Sequence, residues 1–247
     1  MFDHVTIRVS DRDASEAFYD TVLRTLAIDQ SYRTDTFSLW NEFMLTGTTP
    51  EHPVTRRLHI AFRAPSREHV DEFWRVGTEA GYRDDGPPGP RPHYSEEYYG
   101  AFLLDPDGNS AEAVHDRDAH RRGTIDHLWI RVVDVAQARA FYATIAPHAG
   151  LRLGDDTPER VQFRGADGGS FSLVAGTPTQ HLHLAFPTTE NAVVDRFHEA
   201  ATGDGYTSNG GPGERPRYHP GYYAAFVFDP DGNNIEVVNH NRPPAVP

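Results

Sequence analysis

The chain has 247 residues, a formal net charge of −13 at pH 7 and no cysteine. This length allows two ordinary domains, each able to bury its own core without disulfides. The absence of cysteine excludes thiolate metal sites and iron–sulfur clusters, so any metal ion must be held by nitrogen and oxygen ligands. The acidic charge opposes binding to a phosphate backbone, and nucleic acid is not expected as a partner.

The chain does not start with a basic segment followed by an apolar run, and it has no stretch of about eighteen apolar residues that could cross a bilayer. We therefore predict a cytoplasmic protein with no membrane partner. All 23 basic residues are arginine, which excludes Schiff-base chemistry on a lysine.

In chain order, each half predicts a strand, a helix and then further strands. Val5, Ile7 and Val9 alternate with polar residues, which is the period of a strand with one apolar face. The following segment, DASEAFYDTVLRTLA, has apolar residues at helical spacing after an acidic first turn. A β-rich stretch over about residues 29–46 completes this unit.

A second unit in the same half repeats this plan. RLHIAF predicts a strand, and the helix after it is capped by Ser66 and closed by Gly81. DDGPPGPRPHY, and SNGGPGERPRY in the other half, are rich in Pro and Gly and are predicted to be surface loops that border a site. Two strands flank DPDGN, which predicts a hairpin turn and lacks the spaced oxygen ligands of a calcium loop.

Three ordered segments recur in the two halves of the chain. RPHYSEEYYGAFLLDPDGNSAEAV at residues 91–114 matches RPRYHPGYYAAFVFDPDGNNIEVV at residues 215–238 without a gap. FDHVTIRVSD matches IDHLWIRVVD, and LHIAF matches LHLAF, in the same order. A tandem duplication explains all three matches. The predicted domains are residues 1–120 and 124–241, with a loose tail at 242–247.

Three strands of each half carry a metal-binding residue type on the face opposite their apolar residues. These residues are His4, His59 and Glu112 in the first half and His127, His183 and Glu236 in the second. A single histidine in a strand is more often exposed or hydrogen-bonded in the core than a ligand. Recurrence of the same residue types in both copies favours a divalent metal site in each half.

With these residues the chain resembles the vicinal oxygen chelate superfamily, which groups glyoxalases, bleomycin-resistance proteins, fosfomycin-resistance enzymes, methylmalonyl-CoA epimerases and extradiol dioxygenases. The resemblance implies an α+β fold of two tandem domains, each of paired βαβββ modules with a curved mixed sheet that encloses a metal site. It also implies ligands on the first and last strands of the modules, where the six residues fall. Whether modules pair within a half or across halves stays open.

Glyoxalases and epimerases of this superfamily have a fourth protein ligand in a region that reads NEFMLTG and GSFSLVAG here. The two segments share no carboxylate: Glu42 could contribute in the first half, and Ser170 stands near its place in the second. Three ligands leave more than one coordination position open, which suits non-heme Fe(II). Fe(II) is the favoured cofactor, with Mn, Zn or Ni as alternatives.

The segment HPGYYAAFVFDPDGNNIE resembles the extradiol dioxygenase signature and makes His219 a catalytic candidate. Phe226 stands where that family has a tyrosine, and Ser95 replaces the histidine in the first half. Phenylalanine cannot donate a hydrogen bond to substrate, which puts ring cleavage by the usual residue set in doubt.

Four further residues are candidates for contacts with substrate. One tyrosine of each Tyr-Tyr pair should face the cavity, and Tyr99 and Tyr223 are taken as candidate acids or orienting groups. Aromatic packing is the alternative. Arg8 and Arg131 share a strand face with the first histidine of each half and could bind an anionic oxygen, or be merely exposed.

The favoured function is a metal-dependent enzyme that binds a small substrate through its oxygens and oxygenates it at Fe(II). A glyoxalase-like lyase or isomerase that acts through an enediolate is the alternative enzyme. A bleomycin-resistance-like protein that sequesters a drug is the non-enzymatic alternative. The chain is expected to be a monomer or a homodimer.

Overall fold

The fold is taken from a computed structural model that describes residues 1–116, 123–166 and 168–242. The polar segment predicted to join the halves lies largely outside these residues, as does the predicted tail beyond residue 242. The predicted domain boundaries therefore stay predictions. None of the described helices is long and apolar enough to span a membrane.

Four βαβββ modules follow one another along the described residues, and modules 1 and 2 make up the first half. Module 1 consists of β1 (His4–Val9), α1 (Arg12–Arg24), β2 (Tyr32–Arg33), β3 (Phe37–Trp40) and β4 (Phe43–Gly47). Module 2 consists of β5 (His59–Arg63), α2 (Arg67–Glu79), β6 (Arg83–Pro90), β7 (Tyr99–Leu104) and β8 (Ser110–His115).

Modules 3 and 4 repeat the plan in the second half. Module 3 consists of β9 (Ile125–Val132), α3 (Val135–Ala149), β10 (Leu151–Asp156), β11 (Arg160–Gly165) and β12 (Ser170–Ala175). Module 4 consists of β13 (His183–Pro187), α4 (Asn191–Gly203), β14 (Ser208–Glu214), β15 (Tyr223–Phe228) and β16 (Asn234–Asn239).

Each of the two mixed sheets combines one module from each half. The strand orders are β14-β15-β16-β13-β1-β4-β3-β2 and β10-β11-β12-β9-β5-β8-β7-β6. β1 runs antiparallel to β13, with Thr6 opposite His183, and β5 runs antiparallel to β9, with His59 opposite Trp129. Module 1 therefore pairs with module 4 and module 2 with module 3. The question left open by the sequence is answered in favour of pairing across the halves.

The helix-side contacts, in contrast, join modules of the same half. Phe43 of module 1 and Phe62 of module 2 have ring centroids 5.2 Å apart. In the second half the rings of Phe171 and Phe186 lie 6.3 Å apart across modules 3 and 4. Each half thus packs its own helices and aromatic residues, while each sheet needs strands from both halves.

Residues 84–90 and 208–214 of the two Pro/Gly-rich segments are strands, so their prediction as loops was wrong there, and each segment ends in a turn. β6 and β14 pair antiparallel with β7 and β15 and lie at sheet edges. Their registers shift around Gly86 and Gly210, whose φ angles are 153° and 149°. An edge strand tolerates proline because one side of its backbone needs no partner, and glycine permits the bulges.

The predicted helices and hairpin turns are present. α2 begins after Ser66, and Gly81 follows its end with a φ of 88°. The Ser66 hydroxyl, however, lies 2.9 Å from Nδ1 of His69 and makes no cap hydrogen bond to the backbone. At the first DPDGN turn, the Asp105 carboxylate accepts backbone N–H bonds from Asp107 and Asn109.

Candidate metal centres

The first candidate centre, called site 1, consists of His4, His183 and Glu236. They lie on β1, β13 and β16, which are neighbours in one sheet or one strand removed. The two histidine Nε2 atoms are 3.0 Å apart. Glu236 Oε2 lies 3.0 Å from Nε2 of His183 and 3.6 Å from Nε2 of His4. Three donor atoms from two halves of the chain therefore converge on one point.

The second candidate centre, site 2, consists of His59, Glu112 and His127. Glu112 Oε2 lies 2.9 Å from Nε2 of His59 and 3.5 Å from Nε2 of His127. All ligand atoms of each site lie within 4.8 Å of one another. Site 2 thus repeats site 1 in the other sheet. Module 3 supplies His127, and module 2 supplies His59 and Glu112.

The six predicted residues are brought together, but their predicted grouping by half was wrong. The predicted groups were His4 with His59 and Glu112, and His127 with His183 and Glu236. In the structure β1 and β5 belong to different sheets, so His4 and His59 contribute to different sites. The first histidine of each half joins ligands from the other half because β1 pairs with β13 and β9 pairs with β5.

The donor spacing fits a divalent ion with open coordination positions. Two atoms that bind an ion at about 2.1 Å and at right angles to each other are about 3.0 Å apart. The separations in site 1, 3.0, 3.0 and 3.6 Å, are close to that value. Two imidazoles and one carboxylate on one face of an ion form the facial triad of non-heme Fe(II) sites.

Each site has a carboxylate that orients its first histidine. Nδ1 of His4 donates to Asp3 at 2.8 Å, and Nδ1 of His127 donates to Asp126 at 3.0 Å. Because an ionised carboxylate only accepts, Nδ1 carries the proton and Nε2 presents its lone pair to the site. This tautomer is the one that can bind a metal ion through Nε2.

The pKa values of site 1 follow from burial and from these partners. Burial opposes the charge of Asp3, but hydrogen bonds from His240 and His4 outweigh it and hold the Asp3 pKa well below its usual range. Burial alone would lower the pKa of His4, but the hydrogen bond to Asp3 and the charge of Glu236 raise it. For His183, burial prevails and the pKa is lowered.

The second histidine of each site is held by a polar residue at the start of the neighbouring strand. The amide nitrogen of Asn234 lies 2.7 Å from Nδ1 of His183, and Oγ of Ser110 lies 3.2 Å from Nδ1 of His59. Asn234 in turn accepts from Asn209, at 2.9 Å. These contacts orient each ring with Nε2 toward its glutamate.

The tyrosines in contact with the sites are Tyr98 and Tyr222, so the choice of Tyr99 and Tyr223 was wrong. Tyr98 donates to Glu112 Oε1 at 2.7 Å, and Tyr222 donates to Glu236 Oε1 at 2.6 Å; burial and these carboxylates raise the pKa of both tyrosines. The hydroxyls of Tyr99 and Tyr223 bind instead to carboxylates on the helices, Asp71 and Asp195, each at 2.8 Å.

Neither position considered for a fourth ligand supplies a carboxylate to the sites. Glu42 Oε1 accepts the backbone N–H groups of Thr124 and Ile125 at 2.5 and 2.9 Å. Ser170 stands at the equivalent position beside His127, where its Oγ lies 3.4 Å from Nε2 of Gln162. The described residues therefore give each site three strong ligands.

His219 lies outside the ligand set and reaches it through two intervening side chains. Its Nε2 is 2.8 Å from Nδ1 of His240, and Nε2 of His240 donates to Asp3 at 2.8 Å. Asp3 then accepts from His4. In site 2 the corresponding aspartate, Asp126, is paired with Arg63 at 3.2 Å, so the two sites differ in this outer contact.

Arg8 and Arg131 each line a cavity next to their own site. Arg8 is half-buried and lines a cavity of about 770 Å³, and Arg131 is exposed and lines one of about 240 Å³ with the site 2 ligands. The placement agrees with the expectation that they face the sites. Their role in binding substrate stays a prediction.

Several residues of the sites were missed by the sequence analysis, although the sequence contains a signal for some of them. Asp3 and Asp126 precede the first histidine in both copies, as Asp-His pairs that recur like the ligands themselves. Thr6 and Trp129 occupy equivalent positions beside the sites but differ in size, so recurrence could not identify them. The Thr6 hydroxyl is buried and makes no hydrogen bond within the described part of the chain.

Comparison with known proteins identifies the family. The sequence model of the Glyoxalase/Bleomycin resistance protein/Dioxygenase superfamily matches residues 1–113 and 124–237. The chain belongs to this superfamily, and the fold and the resemblance expected from the sequence are confirmed. No curated protein matches the sequence significantly.

Two solved structures show how widely this fold is shared. Glyoxalase I from Zea mays has a TM-score of 0.72 at 19% identity, with 97% of this chain and 92% of that chain covered. A candidate dioxygenase from Bacillus subtilis has a TM-score of 0.65 at 12% identity, with 98% and 85% covered. At these identities the similarity concerns the fold alone, and the reaction must be argued from the sites.

Proposed function

We propose that this chain is a metal-dependent oxygenase that holds Fe(II) at sites 1 and 2 and binds a small substrate through its oxygens. The observation that supports it is the ligand set itself: two imidazole nitrogens and one carboxylate oxygen, with donor pairs 2.9 to 3.6 Å apart. A bound Fe(II) ion supplies Lewis acidity and reactivity toward O₂.

The absence of a fourth carboxylate among the described ligands separates this proposal from glyoxalase-like chemistry. Glu42 is occupied by two backbone N–H groups, so it is held away from the role of a ligand or base. Ser170 cannot replace it as a base at neutral pH. A lyase or isomerase would need a proton-transfer group from elsewhere, and the buried tyrosines, whose pKa values are raised, are poor bases.

The surrounding residues would position ligands and substrate. Tyr222 holds one oxygen of Glu236 and leaves the other directed at the two histidines. The unpartnered hydroxyl of Thr6 lies on the same strand face as His4 and Arg8, opposite His183. Arg8 lies further along the strand and would bind a negative group of the substrate.

Metal content and oxygen consumption test this proposal together. Protein purified anaerobically and loaded with Fe(II) is expected to hold about two ions per chain, one for each three-ligand site. His59→Ala and His183→Ala should each lose one ion. Consumption of O₂ is then measured with catechols and with 1,2-dicarbonyl compounds as candidate substrates.

The remaining outcomes assign the alternatives. Turnover that persists without O₂ on a redox-inert ion such as Zn(II) would contradict the oxygenase and favour a lyase or isomerase. A chain that binds no ion under any loading condition, but binds a small molecule tightly, would favour a sequestering protein. Unchanged metal content in both alanine variants would remove sites 1 and 2 from the proposal.

A further inference from the structure

A cavity of about 770 Å³ begins beside site 1. Asn234 and Phe226 line it, and both also contact a ligand of the site. The Asn234 amide lies 2.7 Å from His183, and the Phe226 ring centroid lies 6.3 Å from that of the same histidine. A ligand in this cavity would therefore lie against the side chains that contact His183.

Basic side chains dominate the walls of this cavity, although the chain as a whole has a net charge of −13. Glu51 is the one carboxylate among the described lining residues, and it binds the Thr49 hydroxyl at 3.0 Å. The positive charge comes from Arg8, Arg215 and Arg217, and the lining also contains His52 and His181. A cluster of this kind attracts anions and repels cations.

The three arginines have no carboxylate partner within the described residues. Arg215 donates to the carbonyl of Gly211 and lies 5.6 Å over the Phe226 ring. Arg217 lies 4.8 Å over the Tyr218 ring. Burial lowers the pKa of Arg8, which is the effect of a cation without a compensating anion. An anionic ligand would supply the missing partner.

Arg8 lies at a suitable distance from the site. On β1, Thr6 faces His183, and Arg8 follows two residues later on the same face. Two residues of a strand span about 7 Å. The long arginine side chain can fold back toward the site or extend away from it, so its guanidinium can reach ligands of different lengths. A small molecule could therefore bind the ion at one end and Arg8 at the other.

The surroundings of site 2 carry less positive charge. Arg131 and Arg91 stand where site 1 has Arg8 and Arg215, but His93 replaces Arg217 and Asp85 replaces Asn209. Asp85 accepts from Ser110 at 2.7 Å and adds a negative charge. Trp129 replaces Thr6 and lies with its ring 6.3 Å from His59, and two cavities of about 480 and 240 Å³ adjoin the site.

We propose that site 1 selects a substrate that carries an anionic group, a carboxylate or a phosphate, bound by Arg8, Arg215 and Arg217 while its other oxygens face the ion. Arginine suits this role because its planar guanidinium forms paired, charge-assisted hydrogen bonds to such groups. Site 2, which has His93 in place of Arg217 and the carboxylate of Asp85 nearby, shows this selectivity less strongly. The inference rests on the proposed function in one respect, namely that site 1 holds a metal ion.

Matched probes test the inference on the full-length chain. In a His59→Ala variant loaded anaerobically with Fe(II), site 1 is the remaining centre. Calorimetric titration compares catechol with 3,4-dihydroxybenzoate, which adds one carboxylate, and with the corresponding phosphonate. We expect at least one anionic probe to bind about tenfold more tightly than catechol, a typical effect of a charged hydrogen bond. The tighter of the two identifies the anionic group.

Substitutions assign the effect to the arginines. Arg8→Gln and Arg217→Gln should each weaken binding of the anionic probe about tenfold and change catechol binding less than about twofold. Arg217→Gln serves as the second variant because Arg217 is exposed and remote from the ligands. Arg152→Gln, which removes one charge from the exposed face of β10, should change neither probe.

The outcomes separate this inference from the proposed function. If site 1 holds Fe(II) but binds all probes equally, the inference is overturned and the metal site stands. An equal preference for anions at site 2, in a His183→Ala variant, would also overturn it. If the His59→Ala chain holds no ion, the proposed function fails and this inference fails with it.

Discussion

A single tyrosine hydroxyl holds the buried glutamate of each site. Tyr222 binds Glu236 at 2.6 Å, and Tyr98 binds Glu112 at 2.7 Å. Each tyrosine occupies Oε1 and leaves Oε2 as the atom that faces the histidines. Outer contacts of this kind set the orientation and the affinity of metal ligands.

Replacement of Tyr222 should therefore weaken metal binding at site 1. Tyr222→Phe removes the donor, so Glu236 is free to rotate and keeps a buried oxygen without a partner. In the His59→Ala background we expect the dissociation constant for Fe(II) to rise about tenfold or more. Competition with a chelator measures it. Tyr223→Phe is the matched control, because that hydroxyl binds Asp195 on α4, and an equal effect of both substitutions would contradict the assignment.

The candidate ligands were predictable from the sequence. The correct tyrosines, Tyr98 and Tyr222, were also predictable from it, although they were not predicted. On strands with one apolar face, polar residues of the same types recur in both copies, and this pattern predicts all six candidate ligands. The prediction took the wrong tyrosine of each pair because it left out the register of the hairpin, which decides which tyrosine shares a face with the glutamate. Phe102 pairs with Glu112 around the DPDGN turn and so shares its face. Tyr98 is an even number of residues from Phe102 and faces the site, whereas Tyr99 does not.

Among the elements, the strands with clear alternation and the helices with apolar spacing were predictable, and the edge strands were not. β1 and β5 have one apolar face toward the helices and one polar face toward the sites. β6 and β14 have no such pattern, because an edge strand rich in Pro and Gly buries little. Only pairing with β7 and β15 makes them strands.

The helix N-termini offer a stability test at this scale. The Asp134 carboxylate accepts the backbone N–H groups of Ala136 and Gln137 at 2.8 and 3.0 Å, whereas Ser66 makes no such bond. Asp134→Ala should lower the free energy of unfolding by about 1 kcal/mol. Ser66→Ala should lower it by less than about 0.5 kcal/mol. Urea titration compares the two, and equal losses would show that cap hydrogen bonding is not the cause.

At the scale of the whole molecule, duplication produces two sites that neither half contains alone. Each half packs its own helices, as the contact between Phe43 and Phe62 shows. One sheet joins modules 1 and 4, which lie at opposite ends of the chain, and the other joins modules 2 and 3, which lie in its middle. The sites then depend on β1 pairing with β13 and β5 pairing with β9. Each site is therefore complete only when strands from both halves are paired.

This pairing is the part of the site that the sequence could not predict. The repeat shows that both halves carry the same residue types, and equivalent strands are equally suited to either partner. β1 could pair with β5 or with β13 by its own pattern, since both are apolar on one face and begin with histidine. Only the packing of the complete chain selects between them.

Metal content of paired alanine variants tests the arrangement most directly. Single substitutions remove one ion under either pairing, so two double variants are compared by metal analysis after anaerobic loading with Fe(II). Because His4 and His183 belong to one site, their double variant should keep about one ion per chain, and the His4→Ala, His59→Ala variant should lose both. The opposite result, one ion kept without His4 and His59 and none without His4 and His183, would show that the sites form within the halves.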